Sequence, residues 1–230
     1  MLKYALAAML VLPTFAMAEH PKSFSKAKKL AVKIHKGMET TFYCGCDYAY
    51  KGKKLIPVAE SCGYEPRKPV TKKGKPNSRA TRIEWEHVMP AYWFGHQRQC
   101  WQDGGRKACK KDPEFSKMEA DLHNLVPAIG ELNGDRSNYR FTMLEGEPRK
   151  YGKCDFEVNF KAKKAEPAPE VRGDIARIYF YMAEQYGLKL SKQQKKLLKA
   201  WDKSDPVSAY EVERNNRIKA VQGNANPYIK

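Results

Sequence analysis

Six cysteines constrain this chain more than any other feature: Cys44, Cys46, Cys62, Cys100, Cys109 and Cys154. Paired, they remove much of the freedom of the unfolded chain and staple segments far apart in sequence. Zinc is the competing use, but no CxxC pair is present, and an even cysteine count in an exported chain favours disulfides. The amino terminus reads as an export signal. Lys3 gives the positive start, Tyr4 to Leu12 the short apolar run, and Ala16 to Ala18 ("AMA") the small-residue cleavage site. Residues 1–18 are thus expected to be a signal peptide, and residues 19–230 one domain with no membrane anchor. Six cysteines allow fifteen connectivities. Cys44 and Cys46 are too close to bond readily, so each is expected to reach a distant partner. "CWQDGGRKAC" suggests a local Cys100–Cys109 bridge across a Gly-Gly turn.

Charge narrows the partners. Lys and Arg total 43 against 26 Asp and Glu, a formal +17. So large an excess repels itself, and a polyanionic partner is the usual reason for keeping it. The basic residues cluster in "EPRKPVTKKGKPNSRATR", which carries Arg67, Lys68, Lys72, Lys73, Lys75, Arg79 and Arg82. A solvated loop and a phosphate-binding surface account for this run equally well. Charge runs are usually solvated, and it is the position of this one immediately before "RIEWEHVMP" that raises phosphate contact to an equal reading.

The chain reads as α+β. "SFSKAKKLAVKIHKG" predicts a first helix with Ser25 as its cap and Gly37 as its stop. "TTFYCGCDYAY" is β-branched and aromatic and predicts a strand. "RIEWEHVMP" predicts another strand, "NLVPAI" its hairpin partner, and "GELNGDRSN" a turn or two of helix. After "AEPAPE" the pattern turns helical. Ile175, Ile178, Tyr179, Met182 and Tyr186 form one stripe, Ser191 with Gln194 a capping box, and Tyr210 to Val221 a last helix ending at Gly223.

Glu86 and His87 are sequence neighbours, so a flat strand would point them to opposite faces. They share a site only where the strand ends or bends, and Pro90 limits how far regular pairing continues. A carboxylate suits a hard cation such as Mg²⁺, and imidazole is a base near neutral pH. Metal and base beside a basic groove are what phosphodiester cleavage requires.

Downstream, "DLHNLVPAIGELNGDRSN" completes the pattern EH-x-x-P … NL-x-P … N over a strand pair and helix. This arrangement resembles the ββα-metal nuclease fold, of which the HNH enzymes are a branch. "EWEHVMPAYWFGHQRQCWQDGGRKAC" and the ending "VQGNANPYIK" resemble the bacterial periplasmic or secreted endonuclease I family, over nearly all of residues 19–230. The resemblance implies His87 as general base, Glu86 and Asn133 as the protein ligands of Mg²⁺, and Arg106 as the arginine on the scissile phosphate, its fork suited to two oxygens. Alongside Cys100–Cys109, Cys46–Cys62 and Cys44–Cys154 are the preferred pairs.

Other polar residues receive lesser roles. Asn124 is expected to staple the hairpin, Glu84 to pair with a nearby Lys or Arg, and His96 to pack. His123 reads as supporting structure, and Arg98 ranks behind Arg106. Trp85, Tyr92, Trp93 and Phe94 read as core, and His20 and His35 receive no role. The expected function is a non-specific, Mg²⁺-dependent endonuclease cutting DNA, with RNA as a second substrate, acting as a periplasmic or secreted monomer. Its grip would fall on phosphates, which carry no sequence information directly. The alternative is a non-catalytic polyanion-binding protein assisting DNA uptake, which would need the basic run but not Glu86, His87 and Asn133 together. A zinc hydrolase is disfavoured because no three-ligand His/Cys/Glu spacing stands out.

Overall fold

The computed structural model describes residues 18–146 and 148–230; apart from Ala18, the export-signal reading lies outside them. Three disulfides frame the fold: Cys44–Cys154, Cys46–Cys62 and Cys100–Cys109, spanning 110, 16 and 9 residues. These are the three preferred pairs. The first ties the segment before the first hairpin to the chain just ahead of the strand at Phe156–Asn159. The second closes that hairpin's base.

Helix α1 spans Phe24–Ile34, and its cap is Ser23, whose side chain accepts from the Lys26 N–H. The cap falls two residues before Ser25 because Phe24 must already be helical to turn its ring inward. "TTFYCGCDYAY" is only half a strand. Thr40 bridges Asp47, the Gly45 N–H donates to the Thr41 carbonyl, and β1 begins at Tyr48. A left-handed Gly45 between two cross-linked cysteines makes a tight turn there instead. β1 (Tyr48–Lys51) then pairs antiparallel with β2 (Lys54–Pro57).

The centre of the molecule is β3 (Ile83–His87), antiparallel to β4 (Leu125–Ile129), followed at once by α5 (Gly130–Arg136). The register sets Ile83 opposite Ile129 and His87 opposite Leu125. The strands are joined not by a hairpin turn but by α2 (Ala91–Gly95), α3 (Gln99–Cys109) and α4 (Pro113–Ala120). The first part of the chain is therefore mixed, and the purely helical part follows it. Asn124 bolts the far end of the pair, its side chain accepting from the Met89 N–H and donating to the Met89 carbonyl at 2.7 and 2.9 Å. Gly130 permits the sharp strand-to-helix change, since a Cβ there would meet the Arg79 carbonyl at 2.8 Å.

The 100–109 bridge does not close a simple Gly-Gly turn. α3 is helical on both sides and breaks at Gly104 and Gly105, where Gly105 has φ +62°, a conformation that costs glycine little. A parallel–antiparallel sheet follows, in the order β5 (Arg140–Phe141), β7 (Lys164–Pro167), β6 (Phe156–Asn159). Then come α6 (Arg172–Tyr186), α7 (Lys192–Ser204) and α8 (Ala209–Gln222). Gly187 and Gly223 end α6 and α8 in left-handed caps. Ser191 caps Gln194 as expected, but the reciprocal box forms at Ser208 and Glu211.

Two apolar clusters hold these layers. The larger joins α2, α4, α5, the last sheet and α6 around Phe94, Phe115, Phe156 and Tyr179; the smaller seats α1 and α8 on β4 through Ala27, Ala31, Leu125 and Ile218. Both pack against the β3–β4 pair, which fixes the end of β3 from two sides.

Candidate active site

Strand β3 turns from half-buried to buried at Glu86 and His87 and then ends. That ending lets both neighbours line one cavity, of about 830 Å³, together with Asn133, Arg106 and Arg79. The cause of the ending lies beneath it. Arg136, fully buried, donates to the carbonyls of His87 and Val88 at 3.1 and 2.6 Å and to Glu86 Oε1 at 3.0 Å. Backbone oxygens that would otherwise continue a sheet are thus held by a guanidinium. Tyr43 donates its hydroxyl to the same Glu86 Oε1 at 3.0 Å. Burial still outweighs these two donors and raises the Glu86 carboxyl to about 7.

His87 lies between rings, its centroid 4.7 Å from Phe24 and 6.2 Å from Phe94. Its Nε2 donates to the Glu119 carbonyl at 2.8 Å. That bond fixes the tautomer and leaves Nδ1 as the basic nitrogen. Burial lowers the imidazole to about 4, so the ring is neutral throughout the physiological range. Glu119 serves twice: its Oε1 also accepts from Arg106 Nε and Nη2, both at 2.7 Å. One residue at the end of α4 therefore orients the imidazole by its backbone and the guanidinium by its side chain. Among the described residues Arg106 Nη1 keeps no partner, and the side chain is about half exposed.

Asn133, in α5, donates Nδ2 to Glu84 Oε2 at 3.0 Å, which leaves its Oδ1 as the ligand-type atom. Glu84 is held by Arg79 and Arg82, the basic pairing expected for it. The donor set fits a hard divalent cation. A buried carboxylate with its charge under-compensated and an amide oxygen are oxygen ligands of the kind Mg²⁺ takes while keeping several waters. Among the described residues no three His, Cys, Asp or Glu form a ligand cluster; Glu86 and Asn133 line the cleft beside Glu84, whose carboxylate Arg79 and Arg82 already engage.

The remaining candidates are dispersed. Arg67 lies in a bidentate pair with Asp135 at 2.9 and 2.7 Å, and its backbone N–H, like that of Lys68, donates to Glu131. The start of the basic run is therefore anchored on α5 rather than held out for phosphate. Lys72, Lys73 and Lys75 are exposed and line neither this cavity nor the one beside it, whereas Arg79 does reach the cleft. Arg98 pairs with Asp112. His96 stacks on Tyr92 with centroids 5.0 Å apart, the packing role expected. Tyr92 itself is 38 % exposed at the cleft rim. It does not belong to the core, because it lies on the outer face of α2 while Phe94 fills the inner one. Trp85 and Trp93 are half-buried. His123 and His20 belong to a buried network around Asp121, and His35 meets the hydroxyl of Tyr210 at 2.9 Å.

Arg136, Tyr43 and Glu119 escaped the sequence reading. Only Arg136 left a signal: it lies three residues after Asn133, on the same side of a short helix.

Residues 23–230 match the family model described as Endonuclease I. A periplasmic deoxyribonuclease of Aeromonas hydrophila is 53% identical over 222 residues, covering 96% of this chain and 91% of that protein. An extracellular deoxyribonuclease of the same organism is 50% identical over 231 residues, covering 100% and 96%. Endonuclease-1 of Buchnera aphidicola (subsp. Acyrthosiphon pisum) is 48% identical over 208 residues, covering 90% and 80%.

Proposed function

This chain belongs to the Endonuclease I family, and from that premise we propose that it hydrolyses internal phosphodiester bonds of DNA, and of RNA, with Mg²⁺ in the cleft at the end of β3. The observation that carries the reading is the single fixed tautomer of His87. Its Nε2 is tied to the Glu119 carbonyl, and its Nδ1 is the one ring nitrogen left to take a proton in the cleft. A neutral imidazole takes a proton from water as the water attacks phosphorus. Arg106, steadied by Glu119, offers its remaining N–H groups to the phosphate oxygens, where negative charge accumulates. Glu86 and Asn133 would hold Mg²⁺, which supplies charge neutralisation at the phosphate and leaving oxygen. Buried Arg136 keeps the Glu86 carboxylate aimed.

Action on RNA as well as DNA is supported by a site built from phosphate-directed groups, since such contacts read no base. The relatives' names place them in the periplasm or the medium; with three disulfides, this chain is assigned the same oxidising surroundings. The test is incubation of the mature chain with plasmid and with structured RNA, with and without chelator, followed by analysis of product ends. Nicking and linearisation in Mg²⁺, lost with chelator, is the expected result. Cleavage undiminished by chelator removes the metal from the proposal, and binding without cleavage removes the enzyme.

A further inference from the structure

A second cavity, of about 640 Å³, opens beside the first and shares Phe24, Lys28 and Arg106 with it. Its remaining walls come from the start of α1, the end of α3 and α4, including Ser23, Ser25, Lys107, Lys110 and Ser116. Lys28, Lys107 and Lys110 are exposed, and no carboxylate pairs with them among the described residues. Glu119, the acid in the lining, is engaged by Arg106. Lys28 is nevertheless placed: its ammonium lies 4.9 Å from the centre of the Phe24 ring, which packs on His87. The break at Gly104–Gly105 and the Cys100–Cys109 bridge fix where Arg106 and Lys107 emerge.

We propose that this cavity is a second phosphate subsite, holding the phosphodiester next to the scissile one on the same polynucleotide strand. The inference rests on the nuclease reading and goes beyond it in naming Lys28, Lys107 and Lys110 as positioning residues. Three unpaired ammonium groups and hydroxyl donors around a groove that runs into Arg106 suit a continuing anionic backbone. Phe24 is the one aromatic in the lining and is engaged with His87 and Lys28, so the groove lacks the ring platforms that would stack bases. The strand's grip therefore comes from α1 and α3, not from the basic run at residues 68–75, which lies outside both cavities.

The experiment compares the mature chain with the triple variant Lys28→Gln, Lys107→Gln, Lys110→Gln. A charge-matched control carries Lys195→Gln, Lys196→Gln, Lys199→Gln on the exposed face of α7. Kinetics are measured on a 20-nucleotide strand and on a dinucleotide with one phosphodiester; binding of the 20-mer is measured in chelator across salt. The first variant should raise KM on the 20-mer at least tenfold. Lys107→Gln, Lys110→Gln alone, which alters no residue lining the catalytic cavity, should raise that KM with kcat within twofold and leave dinucleotide cleavage unchanged. The triple variant's slope of log affinity against log salt should fall by about 0.7, the value for one single-strand phosphate contact. The control should change KM less than threefold. An unchanged slope, an equal loss in the control, or an equal loss on the dinucleotide overturns the subsite. A wild-type chain that cuts neither substrate overturns the nuclease reading instead, and binding in chelator still decides the subsite.

Discussion

Two buried carboxylates flank the β3–β4 pair, and their surroundings are opposite. Asp121, fully buried just before β4, accepts from the hydroxyls of Tyr181 and Tyr186 at 2.7 and 2.6 Å and from the His123 N–H and Gln222 Nε2, both at 2.9 Å. Although burial raises its carboxyl, these donors and the nearby His20 and His123 outweigh it and hold the group well below the usual carboxylate range. Glu86, almost as buried, has two donors on one oxygen and is pushed up to about 7. Each also neighbours a buried histidine lowered to about 4. What separates the sites is satisfaction. The saturated carboxylate joins α6, α8 and the tail near Asn224 to the centre of the fold. The unsaturated one faces a cavity, where the proposed Mg²⁺ would add the compensation it lacks.

The largest expected effect tests the histidines. His87→Ala should lower cleavage by about 10²–10⁴-fold while DNA binding, measured in chelator, stays within twofold. His123→Ala should leave turnover per folded molecule within twofold and lower Tm instead. The reverse result would make the Asp121 side the catalytic one.

Next comes Asp121→Asn, which leaves buried donors without acceptors and should cost about 3 kcal/mol in chemical denaturation, with kcat unchanged in the molecules that remain folded. The sign with pH follows from its depressed folded-state value. The stabilisation is complete above the unfolded carboxyl's range near 4 and is lost progressively as pH falls below it. The wild-type chain should therefore lose stability more steeply below about pH 4 than the variant does. Equal acid slopes would show that Asp121 is no better satisfied than Glu86.

The smallest stability change should come from Glu86→Gln. Its Tm in chelator should shift less than that of Asp121→Asn, while the Mg²⁺ giving half-maximal cleavage rises at least tenfold. A variant with normal Mg²⁺ response would place the metal elsewhere.

The catalytic strand, its partner and α5 were legible because their signals are local: five residues of β pattern, a proline, and an asparagine in the helix that follows. Among the cysteine pairs, Cys100–Cys109 was legible from local closure, and the other two from the need of Cys44 and Cys46 to reach distant partners. The supporting layer was not, since its partners are distant in sequence. Tyr43 and Arg136 reach Glu86 across 43 and 50 residues, and periodicity has no access to such contacts. The basic run was legible only as charge, for the same reason. Its charges are visible in order, but Asp135, 68 residues on, is what engages Arg67. Conversely Lys107 and Lys110 belong to the short run "RKACKK", whose place beside the cleft only the shape of α3 reveals.

Glu119 bears on how such a site could be silenced. Its carbonyl sets the imidazole and its carboxylate sets the guanidinium, so the two are hinged on one residue at the end of α4. Whatever displaces that helix end disarms both groups at once, although neither is itself altered. Because Glu119 also lines the second cavity, an anion-mimicking compound lodged there would reach that hinge, and a long polynucleotide would displace it more readily than a short one.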